Sequence, residues 1–240
     1  MLRAEARIAT GAIERNCARL AALAPLCAVV KSNGYGHGAV EAARAAQRGG
    51  ASWLAVATAN EAAHLRAAGV DGRLLVMGAL SPEELPIALD ADADVVAWRE
   101  DFVVGLPADA RVHVKLDTGM GRLGTRDPQE ATRVAEAAGD RLAGVMTHFA
   151  TADDDPDFMA VQLERFLAWA DAFGVTRHAA NSAAALREPA ARLDMVRCGI
   201  AIYGMDPFHR DPAEHGLEPA LELVSYVAEV KRARPGDSVG

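Results

Sequence analysis

The sequence predicts an α/β protein in which eight parallel strands alternate with helices and close into a (β/α)8 TIM barrel. Short runs of β-branched and aliphatic residues alternate with longer Ala-rich stretches through most of the chain. Strands that alternate with helices form a parallel sheet, and eight strands close this kind of barrel. The length of 240 residues suits a single domain of that size. An open, doubly wound sheet shares the alternation and is the alternative fold.

Aliphatic runs place the strands, and Ala-rich runs that follow capping residues place the helices. Pro82 and Pro128 directly follow Ser81 and Asp127, an order typical of the first turn of a helix. The predicted strands are residues 26–31, 53–57, 73–77, 94–97, 111–116, 142–148, 177–180 and 195–199. The predicted helices are residues 38–47, 59–68, 82–89, 128–138 and 157–173.

The alternation of strands and helices stops after about Pro212. Residues 220–230 (ALELVSYVAEV) are typical of one long strand, which is followed by the turn sequence RPGDS and by no helix. A strand without a partner exposes an unpaired edge. We therefore expect residues 1–215 to form the barrel and residues 216–240 to begin a β-rich second domain that continues beyond this sequence.

Composition and charge narrow the classes of function. The formal net charge of −8 argues against a nucleic acid or an anionic membrane as the main partner. Three cysteines without a C-x-x-C pair indicate neither a disulfide framework nor a zinc site. The N-terminus carries charges throughout, unlike a secretory signal, and no apolar run approaches the roughly 18 residues that span a bilayer. We therefore expect a cytoplasmic protein without a bound metal.

A lysine stands at the end of the first predicted strand, within AVVKSNGYGHG (28–38). Because side chains alternate along a strand, Val29 and Lys31 share one face. Lys31 then lies at the carboxyl end of the strand, where barrel enzymes place catalytic groups. Burial can lower the pKa of a lysine and free its amine to form a Schiff base. A lone lysine here would more often reach solvent, but the glycines that follow it let a ligand approach the backbone closely.

The block VHVKLDTGMGRLG (112–124) contains the spacing G-x-G-x-x-G, which in some proteins binds dinucleotides. That function needs a helix that begins at the glycines, whereas the helix here is predicted only near Asp127, so we reject it. His113, Lys115 and Asp117 share one strand face by alternation. If that face points inward, Lys115 and Arg122 bring two cations together in a site of low dielectric. In the alternative interpretation, Lys115 pairs with Asp117 or another acid.

Three later blocks place polar residues at strand ends. MTHFATAD (146–153) ends the sixth predicted strand with His148, where a histidine is most often a structural group. In AANSAAAL (179–186), Asn181 or Ser182 suits the N-cap of a helix. MVRCGIAIYGMDP (195–207) places Gly199 and Ile200 just after the eighth predicted strand. Barrel phosphate sites are frequently built from the loops after strands seven and eight, where Ser182, Gly199 and Ile200 fall.

These blocks, in this order, resemble the alanine racemases, which bind pyridoxal 5′-phosphate in a barrel. The resemblance runs from RIATGAIERN to PGDSVG, and Gly34 stands where the family usually has alanine. It implies that Lys31 holds the cofactor and that Arg122 contacts the cofactor phenolic oxygen and the substrate carboxylate. It also implies that His148 packs near the cofactor ring and that Arg197 faces the pyridine nitrogen. The other cofactor-binding residues that it implies are Tyr35, Asn181, Ser182, Gly199 and Ile200, and the matching Lys115 can be carbamylated.

The resemblance implies a cytoplasmic isomerase that interconverts L-alanine and D-alanine through an external aldimine and supplies D-alanine for the cell wall. Lys31 is one base, and in the family the other is a tyrosine from the second domain of the partner subunit of a homodimer. No tyrosine of this sequence matches that position: not Tyr35, Tyr203 or Tyr226. Because arginine stays protonated, Arg197 donates a hydrogen bond and keeps the ring nitrogen unprotonated.

Two other functions suit a barrel of this kind. A non-catalytic, single-domain carrier of pyridoxal phosphate is the alternative that the length favours. An amino-acid decarboxylase of the same barrel class would place an acid at the ring nitrogen, whereas this sequence has Arg197. The strand predicted after Ala220 argues against the single-domain carrier, since it would have no partner within a barrel.

Overall fold

The computed structural model describes residues 3–238, in which ten strands and eight regular helices follow one another along the chain. The strands are β1 (Ala4–Ile8), β2 (Leu26–Val29), β3 (Trp53–Val56), β4 (Arg73–Val76), β5 (Asp94–Ala97), β6 (Val112–Lys115), β7 (Leu142–Met146), β8 (Thr176–His178), β9 (Val196–Cys198) and β10 (Leu221–Ser225). The helices are α1 (Thr10–Ala21), α2 (Ala39–Arg48), α3 (Ala59–Ala67), α4 (Glu84–Asp90), α5 (Glu100–Val104), α6 (Pro128–Ala138), α7 (Pro156–Ala170) and α8 (Ser182–Arg187). None of these helices is long and apolar enough to cross a membrane.

Strands β2 to β9 form one parallel sheet that closes almost completely into a barrel. Each strand from β2 to β8 pairs with the next along the chain, and β9 returns to pair with β2. The remaining gap lies between β8 and β9. It is bridged where the backbone N–H groups of Asp194 and Arg197 donate to the carbonyls of Arg177 (3.2 Å) and Ala180 (2.9 Å). All eight predicted strands are present, and the predicted (β/α)8 barrel is confirmed over the open sheet.

A two-stranded ribbon outside the barrel departs from the prediction. The strand expected over residues 220–230 covers only Leu221–Ser225, and it is not left without a partner. It pairs antiparallel with β1, from Ala4 opposite Ser225 to Ile8 opposite Leu221. The sequence gives little sign of β1, because four of its five residues (AEARI) are charged or small and its partner lies at the far end of the chain. The division at residue 215 stays a prediction.

Small side chains let the helices approach the sheet closely. Helix α2 buries five alanines against the barrel, and aliphatic residues of the strands fill the layer between. Inside the barrel, a separate cluster contains only seven buried apolar residues: Cys27, Val29, Ala55, Leu75, Val96, Met146 and Met195. Barrel interiors are usually filled by branched aliphatic side chains. Here Asp94, His113, His178 and Arg197 are also buried, so part of this interior is polar.

Candidate active site

A cavity of about 490 Å³ opens at the carboxyl ends of the barrel strands. Its floor is apolar and includes Val29, Met77, Met146 and Phe149. The structure brings together all ten candidate residues from the sequence, because each of them lines this cavity: Lys31, Tyr35, Lys115, Arg122, His148, Asn181, Ser182, Arg197, Gly199 and Ile200. Residues from five different strand ends therefore meet around one space, as expected at this end of a barrel.

Lys31 follows β2 rather than ending it. The strand stops at Val29, so the prediction that it continues to residue 31 is wrong, although Val29 and Lys31 do face the same cavity. Lys31 begins a single left-handed turn in which Ser32, Asn33 and Tyr35 have φ angles of 53°, 53° and 52°. Left-handed backbone costs roughly 1–2 kcal/mol for each residue other than glycine. A turn with three such residues therefore persists only because its surroundings hold it.

Two acceptor side chains hold this turn. The carboxylate of Glu61 accepts from the backbone N–H of Ser32 (2.5 Å) and from that of Ala57 (2.7 Å). The side-chain oxygen of Asn33 accepts from the N–H of Ala39 (3.0 Å), the first residue of α2. The turn thereby points the Lys31 amine and the Tyr35 ring into the cavity, with Nζ 5.8 Å from the ring centroid.

One wall of the cavity gathers hydrogen-bond donors. Asn181 is the N-cap of α8, as the sequence suggested for Asn181 or Ser182, and accepts from the N–H of Ala184 at 3.0 Å. Ser182 Oγ accepts from the N–H of Gly199 at 3.1 Å. A Cβ added to Gly199 would lie 2.5 Å from the Tyr35 hydroxyl, so this hydroxyl rests against the glycine backbone. We call Tyr35, Ser182, Gly199 and Ile200 the donor wall.

Arg197 is 2% exposed and is held from several sides. Its Nη2 donates to the carbonyls of Thr147 (2.7 Å) and Ala179 (3.1 Å) and to Nδ1 of His148 (3.2 Å). Its Nη1 donates to Nδ1 of His178 at 2.8 Å. Burial lowers the pKa of Arg197 to about 10, which still leaves the guanidinium protonated at neutral pH.

Four cations line the cavity, and we call Lys31, Lys115, Arg122 and Arg197 the cation cluster. Burial, then the charges of Arg197 and Arg122, lower the pKa of Lys115 to about 8. Burial and all four cations hold the pKa of His148 well below its ordinary value, so its ring is neutral. The single carboxylate among the lining residues is that of Asp153. The cavity is therefore positive within a protein of negative net charge.

Lys115 does not pair with Asp117, the alternative that its sequence left open. Asp117 lies beyond the end of β6 and does not line the cavity, so the expected inward face ends at Lys115. Its carboxylate instead accepts from the N–H groups of Gly119 (3.1 Å) and Gly121 (3.0 Å) and from Arg126. Within residues 3–238, no salt bridge joins Lys115 to an acid.

The G-x-G-x-x-G spacing builds a loop and not a nucleotide-binding helix start. Gly119, Gly121 and Gly124 all have positive φ angles, of 147°, 72° and 116°. Helix α6 begins only at Pro128, after the N-cap Asp127, so no helix N-terminus points to the glycines. The rejection of a dinucleotide site is therefore supported by the fold.

The sequence missed two buried residues that connect to Arg197. His178 bonds it directly, and Asp94 lies further along the same chain of hydrogen bonds, through His113. The available signal was a polar residue in each of the short strands β5, β6 and β8: Asp94, His113 and His178.

The family described as the N-terminal domain of alanine racemase matches residues 8–207. This chain belongs to the alanine racemase family. The alanine racemase of Desulforamulus reducens is 40% identical over 233 residues, covering 89% of this chain and 63% of that protein. The alanine racemase of Thermobifida fusca is 43% identical over 259 aligned residues, covering 98% of this chain and 69% of that protein.

Solved alanine racemases share the fold described above. The enzyme from E. faecalis has a TM-score of 0.87 and 34% identity, covering 99% of this chain and 70% of that one. The enzyme from Bacillus anthracis, solved with bound L-Ala-P, has a TM-score of 0.84 and 33% identity, covering all of this chain and 68% of that one. This member of the family spans 62–66% of the length of several curated alanine racemases, less than two thirds.

Proposed function

We propose that this chain is the pyridoxal-phosphate-binding barrel of an alanine racemase and that it acts in the interconversion of L-alanine and D-alanine. The observation that carries the proposal is the meeting of the cation cluster with the donor wall at the carboxyl end of the barrel. The named relatives are all alanine racemases, which does not favour a non-catalytic carrier.

The residues present fit pyridoxal 5′-phosphate. Its phosphate needs hydrogen-bond donors and positive charge, which the donor wall and the cation cluster offer next to the last barrel strands. Its aldehyde carbon needs an amine. Two lysines line the cavity, Lys31 and Lys115, and Lys31 belongs to the same turn as Tyr35 of the donor wall. The volume of about 490 Å³ lies in the ordinary range for a small-molecule site. When bound, this cofactor withdraws electrons from the amino-acid Cα and makes its proton acidic.

Each side chain around the cavity has a distinct task in this proposal. Lys31 holds the cofactor and then, through Nζ, takes the Cα proton from one face of alanine or returns it. Arg122 lies exposed at the mouth of the cavity, where its guanidinium can bind the carboxylate of alanine with two parallel hydrogen bonds. His148 is neutral and accepts from Arg197, which keeps the guanidinium in place.

Arg197 determines the protonation of the ring nitrogen that faces it. A guanidinium with a pKa of about 10 donates and does not accept at neutral pH, so the ring nitrogen keeps its lone pair. An unprotonated ring withdraws electrons less strongly. With the cofactor bound, Arg197 would therefore hold a weaker electron sink, which would limit side reactions.

We also propose that Lys115 reacts with carbon dioxide. The neutral amine attacks the carbon atom, a C–N bond forms, one proton leaves to solvent and an anionic carbamate remains. A pKa of about 8 makes the neutral amine accessible near physiological pH. The carbamate would replace repulsion from Arg122 and Arg197 by attraction, because the charge at this position changes sign.

The base on the second face of alanine is proposed to come from outside this chain. Tyr203 is 1% exposed and its hydroxyl donates to the carbonyl of Val29 at 3.2 Å. Tyr226 follows β10 on the exposed ribbon, and Tyr35 belongs to the donor wall. On the family pattern, the base is a tyrosine of a second domain in the partner subunit. Residues 216–240 would then begin that domain, and the active protein would be a homodimer.

Turnover of two lengths of protein tests this proposal. The 240-residue chain and a version extended by its own continuation, both saturated with pyridoxal phosphate, are assayed for D-alanine formation. We expect the shorter chain to be slower by about 10²–10⁴-fold, the usual effect of losing a positioned acid–base group. Equal turnover would mean that the second base lies within these residues. Absence of D-alanine from the extended protein would contradict the racemase proposal itself.

A further inference from the structure

A chain of buried side chains crosses the barrel interior from Arg197 to the amino ends of the strands. Nδ1 of His178 lies 2.8 Å from Nη1 of Arg197, and Nε2 of His178 lies 2.8 Å from Nδ1 of His113. Nε2 of His113 lies 3.1 Å from a carboxylate oxygen of Asp94. Asp94, His113 and His178 are 0% exposed. We call these three residues the interior relay.

The two ends of the interior relay fix the direction of every hydrogen bond in it. A guanidinium can only donate, so Nδ1 of His178 accepts and the ring carries its proton on Nε2. That N–H donates to Nδ1 of His113, which therefore also carries its proton on Nε2. A carboxylate can only accept, so the last bond runs from His113 to Asp94. Reversing either ring would bring two donors or two acceptors face to face.

The charge states agree with this direction. Burial holds the pKa of both His113 and His178 below its ordinary value, so both rings are neutral. Burial alone would raise the pKa of Asp94. Its hydrogen bonds with His113, Arg111 and Arg73 nevertheless hold that pKa below its ordinary value, and the carboxylate stays ionised.

The Asp94 end of the relay is fixed in place. Its two oxygens accept from Arg73 Nη2 and Arg111 Nε, each at 2.6 Å. The Trp53 ring packs on the Arg73 guanidinium at 4.3 Å and meets the His113 ring edge-on at 5.5 Å. The acceptor that ends the relay is therefore held by groups at the opposite end of the barrel from the cavity.

We propose that Asp94, His113 and His178 are positioning residues that set the orientation of the Arg197 guanidinium. His178 occupies Nη1, while the carbonyls of Thr147 and Ala179 occupy Nη2. Nε of Arg197 has no protein partner within residues 3–238, and every fully buried side-chain polar atom described there has one, so Nε is not fully buried, and Arg197 lines the cavity. The relay thus occupies one N–H of Nη1 and leaves the Nε–H free to meet a ligand. The use of this N–H to bind the cofactor rests on the proposed function, whereas the orientation of the Arg197 guanidinium does not.

Nitrogen-15 NMR of the histidine rings in the ligand-free chain tests the orientation. Protonated and bare ring nitrogens have well-separated shifts, so the tautomer of each ring can be assigned. We expect His113 and His178 both to carry a single proton, on Nε2, over the neutral pH range. A proton on Nδ1 of His178, or a doubly protonated ring at either position, would overturn the proposal.

Replacement of the terminal carboxylate tests the contact between Asp94 and the relay. In Asp94→Asn, the amide oxygen can still accept from Nε2–H of His113, and Arg197 still donates to Nδ1 of His178, so both rings should keep their tautomers. A neutral acceptor bonds more weakly than a carboxylate, so we expect the Nε2–H signal of His113 to shift. Asp194→Asn is the matched control, because Asp194 also accepts from an arginine at this end of the barrel (Arg177, 3.0 Å) but lies outside the relay. Changed tautomers in Asp94→Asn, or equal shifts of the His113 signal in both variants, would refute the relay.

A pair of variants at His113 separates positioning from packing. In His113→Gln, the carboxylate of Asp94 attracts the amide NH2 and turns its oxygen to His178, so the tautomer of His178 should be kept. In His113→Leu, this acceptor is lost, so the Nε2–H of His178 loses its partner and its signal should shift, while Arg197 still holds the tautomer. With pyridoxal phosphate bound, we expect turnover to fall about 10-fold or more in the Leu variant, as for other supporting residues, and to recover in the Gln variant.

The outcomes distinguish failure of this inference from failure of the proposed function. Equal losses of turnover in the two His113 variants, with the same His178 ring signals in both, would assign the relay to packing alone and overturn the inference. Failure to bind pyridoxal phosphate would contradict the proposed function, yet the ring tautomers of the ligand-free protein would still decide whether the relay orients Arg197.

Discussion

Positive side chains are paired with acids at the amino end of the barrel and lack such partners at the carboxyl end. At the amino end, Arg73 and Arg111 both bind the buried carboxylate of Asp94 at 2.6 Å, and Arg177 binds Asp194. At the carboxyl end, the cation cluster surrounds one cavity, and no salt bridge joins any of its members to an acid within residues 3–238. Positive charges are therefore neutralised at the amino end and left uncompensated around the cavity.

This contrast has an energetic meaning. Like charges in a partly buried site destabilise the folded protein, and a bound anion removes that cost. A ligand at about 100 times its Kd adds roughly 2.7 kcal/mol to the free energy of unfolding. Removing a charge should therefore have opposite effects at the two ends. At the amino end it lowers stability, and at the carboxyl end it lowers ligand binding while leaving stability unchanged or higher.

The largest effect is expected for Lys31→Ala. The chain has three lysines, Lys31, Lys115 and Lys231. Borohydride reduction of the protein with pyridoxal phosphate, followed by peptide mapping, should label Lys31, and the variant should lose that label completely. Turnover should fall by about 10²–10⁴-fold, while the free energy of unfolding without ligand should not decrease. Lys231→Ala is the control and should keep the label. Labelling of Lys115 instead of Lys31 in the wild-type protein would contradict the assignment.

The amino end should respond in the opposite sense to Asp94→Ala. This change leaves His113 without its acceptor and Arg73 without its partner, while Arg111 keeps only its bond to Asp92. We expect the free energy of unfolding to fall by about 3 kcal/mol, the lower part of the range for breaking a buried ion pair, because both arginines are partly exposed. Urea denaturation measures the effect. The half-exposed pair at Asp194 is the comparison, and Asp194→Ala should cost less than about 1 kcal/mol. Similar losses would remove the distinction between buried and surface pairs.

The pH dependence of the free energy of unfolding, compared between the wild-type protein and Lys115→Met, tests the carboxyl end. Burial, then Arg197 and Arg122, lower the pKa of Lys115 from 10.5 to about 8 in the folded protein. Between these values, the unfolded chain binds the proton and the folded chain does not, so wild-type stability rises with pH. Below pH 8 the full penalty is present, about 3 kcal/mol. In carbonate-free buffer, the Met variant should therefore be the more stable protein at pH 7, and the difference should vanish near pH 10.5.

Bicarbonate provides the complementary test at Lys115. A carbamate would be attracted by the neighbouring arginines, so bicarbonate should stabilise the wild-type protein and leave Lys115→Met unchanged. Carbon-13 NMR with labelled bicarbonate should show a carbamate signal in the wild-type protein only. If the difference in stability between the two proteins did not depend on pH, Lys115 would not be a desolvated cation in the folded state.

The smallest effect on stability is expected for Gly199→Ala. The new Cβ would lie 2.5 Å from the Tyr35 hydroxyl and 3.1 Å from its Cζ, so the end of this side chain must move. Because the displaced atom ends a flexible side chain, stability should fall by only about 1 kcal/mol. The donor wall is disturbed, however, so the Kd for pyridoxal phosphate should rise about 10-fold, since one hydrogen bond to a charged group is worth roughly 1.5–3 kcal/mol. Tyr35→Phe provides the comparison, and an unchanged Kd in both variants would remove Tyr35 from the phosphate site.

The sequence predicts the barrel well because each of its strands and helices is indicated by a local pattern of residues. Each buried parallel strand is a short apolar run, and each run is followed by a stretch of helical character. Strand ends of a barrel meet at one face, so motifs that lie far apart in sequence could be placed around one cavity. Lys31, Ser182, Gly199 and Ile200 were placed in this way, whereas Tyr35, Arg122 and Arg197 came from the resemblance to the alanine racemases, and their roles stay predictions.

The parts that sequence did not predict depend on distant partners. Strand β1 exists through its pairing with β10, more than 200 residues away. The left-handed turn after Lys31 depends on the carboxylate of Glu61, and nothing in SNGY itself requires three residues other than glycine to adopt positive φ. The direction of the interior relay becomes visible only when Asp94, His113 and His178 are seen in contact.

The β1–β10 ribbon imposes an order on folding during translation. The partner of strand β1 is synthesised more than 200 residues after it. At 5–20 residues per second, this delay is roughly 10–45 s. The pairing of strand β2 with its neighbour β9 is also delayed, because β9 is synthesised late. The nascent chain therefore carries β1 for a long time as an open edge. Glu5 and Arg7 place charge on that edge, which discourages pairing with other nascent chains.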